Sequence, residues 1–157
     1  MAGLVKPILQ QIQTDLVNNL NAEVDLLDAT MPDIDTDLIL VFAFNDIPPD
    51  YPIIDIYPFG DSVVQSEETN VITIIPWQIA TRVAVIGDTE AEASEILDNY
   101  LTAMSKTIIK QGWGLSGEAD IIRLLSWRYT DEFADDTTIY KEGLLLWEVE
   151  KEYDLSV

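Results

Sequence analysis

Asp33, Asp35 and Asp37, in PDIDTDL, stand at the spacing of the first three oxygen ligands of a calcium loop. The rest of that loop is missing. Leu38 occupies the position of its turn glycine and Phe44 that of its bidentate glutamate, so the run reads as a solvated acidic connection. The acidic pairs Glu67–Glu68 and Asp135–Asp136 are adjacent in turn-like segments, a spacing that does not set two carboxylates across a substrate. Gly112, Gly114 and Gly117 follow a helical pattern and precede none, the wrong context for a phosphate cradle. With no histidine and no cysteine, the chain lacks the commonest general base, the commonest zinc ligand and a thiol nucleophile. The expectation is a non-enzymatic protein with no catalytic, cofactor or metal site.

The chain has 29 acidic and 8 basic residues, a net charge of −21. Between Lys6 and Arg82 there is no Lys or Arg, so that half presents a strongly negative field. Such a surface keeps a protein soluble and argues against binding duplex DNA through its phosphates. A surface of this kind is also compatible with an acidic DNA-mimic inhibitor of a nucleic-acid-binding protein, although the acids form no regular phosphate-like array.

Four tryptophans remain. Trp77, Trp127 and Trp147 fall in strand patterns and are expected in the core; Trp113 lies between glycines and is a candidate exposed anchor.

Leu4, Ile8, Ile12, Leu16 and Leu20 recur every fourth position and predict an amphipathic helix over 4–20. Residues 21–36 read as a connection. LILVFAF (38–44) and YPIIDIY (51–57) predict two strands joined by a turn at NDIPPD, pairing antiparallel. Residues 58–70 combine proline, glycine, serine and acids and predict an exposed arm or hairpin loop.

Residues 71–86 predict a long central strand, with a bend or bulge at Pro76. Thr89 and Glu92 form a capping box that opens a second helix, ending near Gln111–Gly112. Alternation over 121–129 and 139–149, around the acidic turn TDEFADDTT, predicts a wide hairpin. No apolar run is long enough for a spanning helix, and the first residues lack a signal-peptide pattern, so no membrane association or secretion is expected.

The expected fold is a single α+β domain over 1–157. It has a mainly antiparallel sheet of about five strands with two helices packed on one face, in the order α-β-β-β-α-β-β.

This order, with the amphipathic opening helix, the stretch DYPIIDIYPFG (50–60), the long strand running through GDTEAEASEILDNYLTAM into a helix, and a closing hairpin ending LLLWEVEKEY, resembles the phage tail-terminator and tail-completion (head-tail joining) proteins. The resemblance implies a structural virion subunit that forms a homo-oligomeric ring, hexameric in the family, capping the tail tube and meeting the connector or neck protein. It would assemble in the host cytoplasm, and DNA would pass through without specific binding.

Under this reading Phe59, Val63, Val64 and Trp113 are candidate subunit or tube contacts. Glu67, Glu68, Asp131, Glu132, Asp135 and Asp136 are candidates for an acidic lumen that repels phosphates. Another neck or tube subunit would look similar in sequence.

Overall fold

The computed structural model describes residues 3–42, 50–60, 65–66, 72–111, 113–135 and 137–155. The fold is α+β, two helices on a mixed, mostly antiparallel sheet.

Helix α1 spans Lys6–Leu27 and buries Ile8, Leu9, Ile12, Leu16, Leu20 and Val24 along one stripe. It runs about two further turns beyond the expected end at Leu20, because Val24 continues the four-residue spacing and is fully buried. Asn21, expected in a connection, sits on this last stretch and clamps the returning chain. Its amide donates to the Ile34 carbonyl and its oxygen accepts from the Ile34 N–H, both at 3.0 Å. Asp35 caps the short 3-10 turn Thr36–Leu38 by accepting from the Asp37 N–H, so two of the three spaced aspartates serve a local turn.

Strand β1 is Ile39–Val41 and β2 is Ile53–Pro58, and they pair parallel, Ile39 opposite Ile54. The expected antiparallel hairpin is therefore wrong. The chain does not reverse tightly after β1. Phe42 takes a positive φ of 61° and donates its N–H to the Ile56 carbonyl, and β2 runs beside β1 in the same direction. The first strand is also shorter than expected: Leu38 belongs to the 3-10 turn, and 43–44 lie outside the described residues.

Strand β3 is Gln65–Ser66 and β4 is Ile72–Gly87; α2 is Glu90–Gln111; β5 is Ile121–Ala134 and β6 Ile139–Asp154. The sheet order is β1-β2-β4-β6-β5, with β3 on β4. No bulge occurs at Pro76 on the β4–β6 ladder, which stays in register from Ile72 to Gly87. On its other flank Pro76 falls between the stretches where β3 and β2 pair, so a residue without an N–H is tolerated there. The bulges lie instead in β5, between Leu124 and Ser126 and between Tyr129 and Asp131.

The Thr89 half of the capping box forms as expected, while the Glu92 side chain reaches one residue further back, to Asp88. Thr89 Oγ1 accepts from the Glu92 N–H at 3.1 Å, and the Glu92 carboxylate accepts from the Asp88 N–H at 3.4 Å. Both helices cover the same face of the sheet, where Ile54, Ile56, Ile79, Val83, Leu145, Trp147 and Val149 meet them in one core. Trp147 is fully buried and its indole donates to Thr81 Oγ1 at 3.1 Å. Trp77 is half-buried with its indole on Tyr153 Oη at 3.0 Å. Among the described residues no helix is long and apolar enough to cross a membrane.

Candidate functional site

The strand β5 forms one edge of the sheet, and its two bulges decide what it presents. Before the first bulge Ile122 and Leu124 face the helices and pack on the core, while Ile121 and Arg123 face away. The bulge shifts the alternation by one residue, so Trp127 and Tyr129 turn to the helix side, opposite Leu145 and Gly143. The second bulge shifts it back, placing Phe133 opposite Tyr140 on the helix-free face, their rings stacked 4.5 Å apart.

No described strand covers this edge. Ile121 is 39% exposed, Leu125 45%, Trp127 39%, and Tyr129 and Phe133 63% each. Trp127 is thus an edge residue, contrary to the core expectation. Its indole bonds the Tyr129 hydroxyl, which donates to Asp98 on α2 at 2.7 Å. That bond to a carboxylate raises the Tyr129 phenol above its ordinary pKa.

Beside the edge, α2 and the β5–β6 hairpin enclose an open cleft of about 430 Å³. Asp98 and Glu132 line it beside Lys141, the one cation among its described lining residues, while Asp131 and Glu142 border it with their side chains on the helix-free face. Lys141 bonds Glu90 at 2.6 Å and approaches Glu132 at 3.7 Å, and the Glu90 bond raises its pKa. The cleft therefore keeps an excess of negative charge.

On the helix-free face, Arg82 of β4 joins three strands. It bonds Asp55 of β2, lies 3.7 Å from Glu142 of β6, and sits 5.7 Å from the Tyr57 ring centroid. Glu142 also accepts from Tyr140 Oη at 2.6 Å and Thr130 Oγ1 at 3.1 Å. Burial first, and then the Glu142 bond, raise the Tyr140 phenol well above its ordinary pKa. Phe59 lies 5.6 Å under the Arg128 guanidinium, although β2 and β5 are separated by two strands. This contact reaches across the sheet on the face where Leu144 and Leu146 are buried.

Of the sequence candidates, Asp131 and Glu132 both border the cleft, but as neighbours in a strand they face opposite sides of the sheet, and only Glu132 faces α2. Asp135 does not join them. Its carboxylate accepts from the N–H groups of Thr137 and Thr138 at 2.9 and 2.8 Å, closing the hairpin turn, and these bonds lower its pKa. Phe59 is half-buried under Arg128. Trp113 begins the 3-10 turn Trp113–Gly117, while its side chain, like Val63, Val64, Glu67, Glu68 and Asp136, lies outside what the structure describes.

Among the described residues no group of three or more acidic side chains is arranged to hold a metal ion. Sequence reasoning missed the edge residues Ile121, Leu125, Trp127, Tyr129 and Phe133. Their signal was large apolar side chains on both faces of one strand.

No family model matches this chain, and no curated protein matches it.

Proposed function

We propose that this chain is a structural virion protein of a phage-like particle: a tail-terminator or tail-completion subunit that assembles with copies of itself into a ring on the tail tube, facing the head-side connector. The observation that carries this reading is the bare β5 edge. It is 14 residues long and lined with exposed aromatic and aliphatic side chains, whereas the opposite edge, β1, has three residues. Proteins that stay alone blunt long edges with charge, proline, bulges or a covering loop; β5 has two bulges and four charged residues, yet Ile121, Leu125, Trp127, Tyr129 and Phe133 remain exposed along it. A long apolar edge is a joint. In a head-to-tail ring the edge of each subunit meets a different patch on the next, and the repetition closes on itself.

The strand-helix-hairpin block β4-α2-β5-β6, which carries the resemblance to tail-terminator proteins, is also the part that builds this edge. The net charge of −21 suits a ring around a DNA passage, because a negative inner wall leaves phosphates unbound.

The test is native mass spectrometry of the full chain with purified tail-tube protein. A ring-sized assembly on the tube is expected. A chain that ignores the tube and captures a basic nuclease as a single subunit overturns the reading in favour of a DNA mimic.

A further inference from the structure

At its odd-numbered positions the exposed side chains of β5 read alike from both ends about Trp127, whereas between them Arg128, Thr130 and Glu132 are exposed where Ser126, Leu124 and Ile122 are half-buried. Leu125 and Tyr129 stand equidistant from Trp127, as do Ile121 and Phe133, and between these apolar couples lie Arg123 and Asp131, equidistant and opposite in charge. All seven residues are exposed.

The bulges keep two of the three couples on matching faces. Ile121 and Arg123 stand opposite Glu150 and Glu148 of β6, and Asp131 and Phe133 opposite Glu142 and Tyr140, all on the helix-free face. Trp127 is on the helix side, opposite Leu145. Leu125 sits at the first bulge, between the two settings. Residues directly opposed in an antiparallel pair share a face, and such couples are the unit of sheet stability. The couples Ile121/Phe133 and Arg123/Asp131, alike in facing and complementary in apolarity and charge, suit a strand to meet a second copy of itself.

We propose that β5 pairs antiparallel with β5 of a second copy, about a two-fold axis at Trp127, so that the free protein is a dimer with one continuous sheet. In this register Arg123 of each copy meets the partner's Asp131, twice per dimer. Arg123 already bonds Glu148 at 2.9 Å and Glu150 at 3.0 Å, and the five N–H donors of its guanidinium leave capacity for a further carboxylate. The two tryptophans meet at the axis, and each Ile121 lies against the partner's Phe133.

Two subunits of charge −21 repel, so the pairing tightens as salt screens them. The inference goes beyond the ring reading and holds whether or not the chain caps a tube. Because one edge cannot serve both contacts, ring assembly through it requires the dimer to open first.

Sedimentation equilibrium on the full chain tests this with wild type, Arg123→Asp, Asp131→Arg and an equal mixture of the two variants. The wild type is expected to be dimeric at micromolar concentration and tighter at higher salt. Each variant alone places like charges opposite each other and weakens pairing by about tenfold or more. Mixed, they restore both opposite-charge contacts and recover the dimer mass.

A wild type that stays monomeric, variants that pair as tightly as wild type, or a mixture that stays monomeric overturns the proposal. The absence of cysteine gives a second reading that needs no charge change. Trp127→Cys, at the axis, is expected to form an oxidised cross-linked dimer, while Ile121→Cys, remote from the axis, stays uncross-linked. Equal cross-linking of the two overturns the register.

Discussion

A Cβ on Gly87 would stand 2.7 Å from the backbone nitrogen of Ala93. The last residue of β4 thus lies directly under the first turn of α2, and Ala93 cannot retreat because its N–H donates to the Thr89 carbonyl at 3.0 Å. Gly87→Ala is expected to cost about 2–3 kcal/mol, the upper part of the range for overpacking. Gly143→Ala is expected to cost less, about 1 kcal/mol, because its closest contact, at 2.9 Å, is a Leu101 methyl that can rotate away, leaving the Arg128 carbonyl at 3.0 Å. Urea unfolding of the two variants checks the order.

Asp15 on α1 is 8% exposed, and its Oδ2 has no hydrogen-bond partner. Burial raises its pKa, and the Gln11 amide at 3.1 Å offsets this only in part. A carboxyl whose folded pKa lies above its unfolded value binds its proton more tightly when folded. Its cost to the fold is absent below the unfolded pKa, appears as pH rises through the two values, and is complete above the folded one. Asp15→Asn is therefore expected to stabilise the protein by about 1 kcal/mol at neutral pH, the scale of one unsatisfied buried acceptor. The gain should vanish in acid, where the wild-type side chain is also neutral. Thermal unfolding at about pH 3 and about pH 7 separates the two regimes.

Arg82 is the cation between two carboxylates whose side chains are largely withdrawn from water: 7% exposed for Asp55 and 12% for Glu142. Arg82→Met would leave both facing each other without a counter-charge, and is expected to cost about 3 kcal/mol. Replacing Asp55 by Leu as well should return part of that loss, because the stranded charge leaves with it. A double-mutant cycle in urea measures the recovery; simple additivity would mean that the three strands are not coupled through this cluster.

Elements whose own residues carry the pattern were legible in the sequence. The apolar stripe of α1, the Thr89–Glu92 capping box and the long apolar run of β4 all form where the residues placed them. The errors arose where local chemistry had two uses. Asn21 and Asp25 suggested a connection, yet they occupy the outer side of a helix that Val24 holds down. The proline-rich NDIPPD suggested a tight turn, but β1 and β2 run parallel. Asp135 looked like surplus charge and is the turn's own acceptor. The edge was hidden for a different reason. Trp127 and its neighbours have the composition of a core strand, and only the order of strands in the sheet leaves them uncovered.

That distinction gives the assembly reading its sharpest check. Leu125 lies at the first bulge, 45% exposed, so Leu125→Lys removes little buried surface and is expected to change stability by no more than about 0.5 kcal/mol. A lysine there is also what natural sheets use to keep strangers off an edge. If β5 is the joint between subunits, the variant should fold with unchanged circular dichroism yet fail to form rings on tail tubes, as seen by electron microscopy. A charge change on the exposed side of the helix, Lys106→Glu, would alter charge without touching the edge and should leave assembly intact. Rings formed by Leu125→Lys as readily as by wild type would place the joint elsewhere, since a buried ammonium among Trp127, Tyr129 and a neighbouring subunit would be too costly to tolerate.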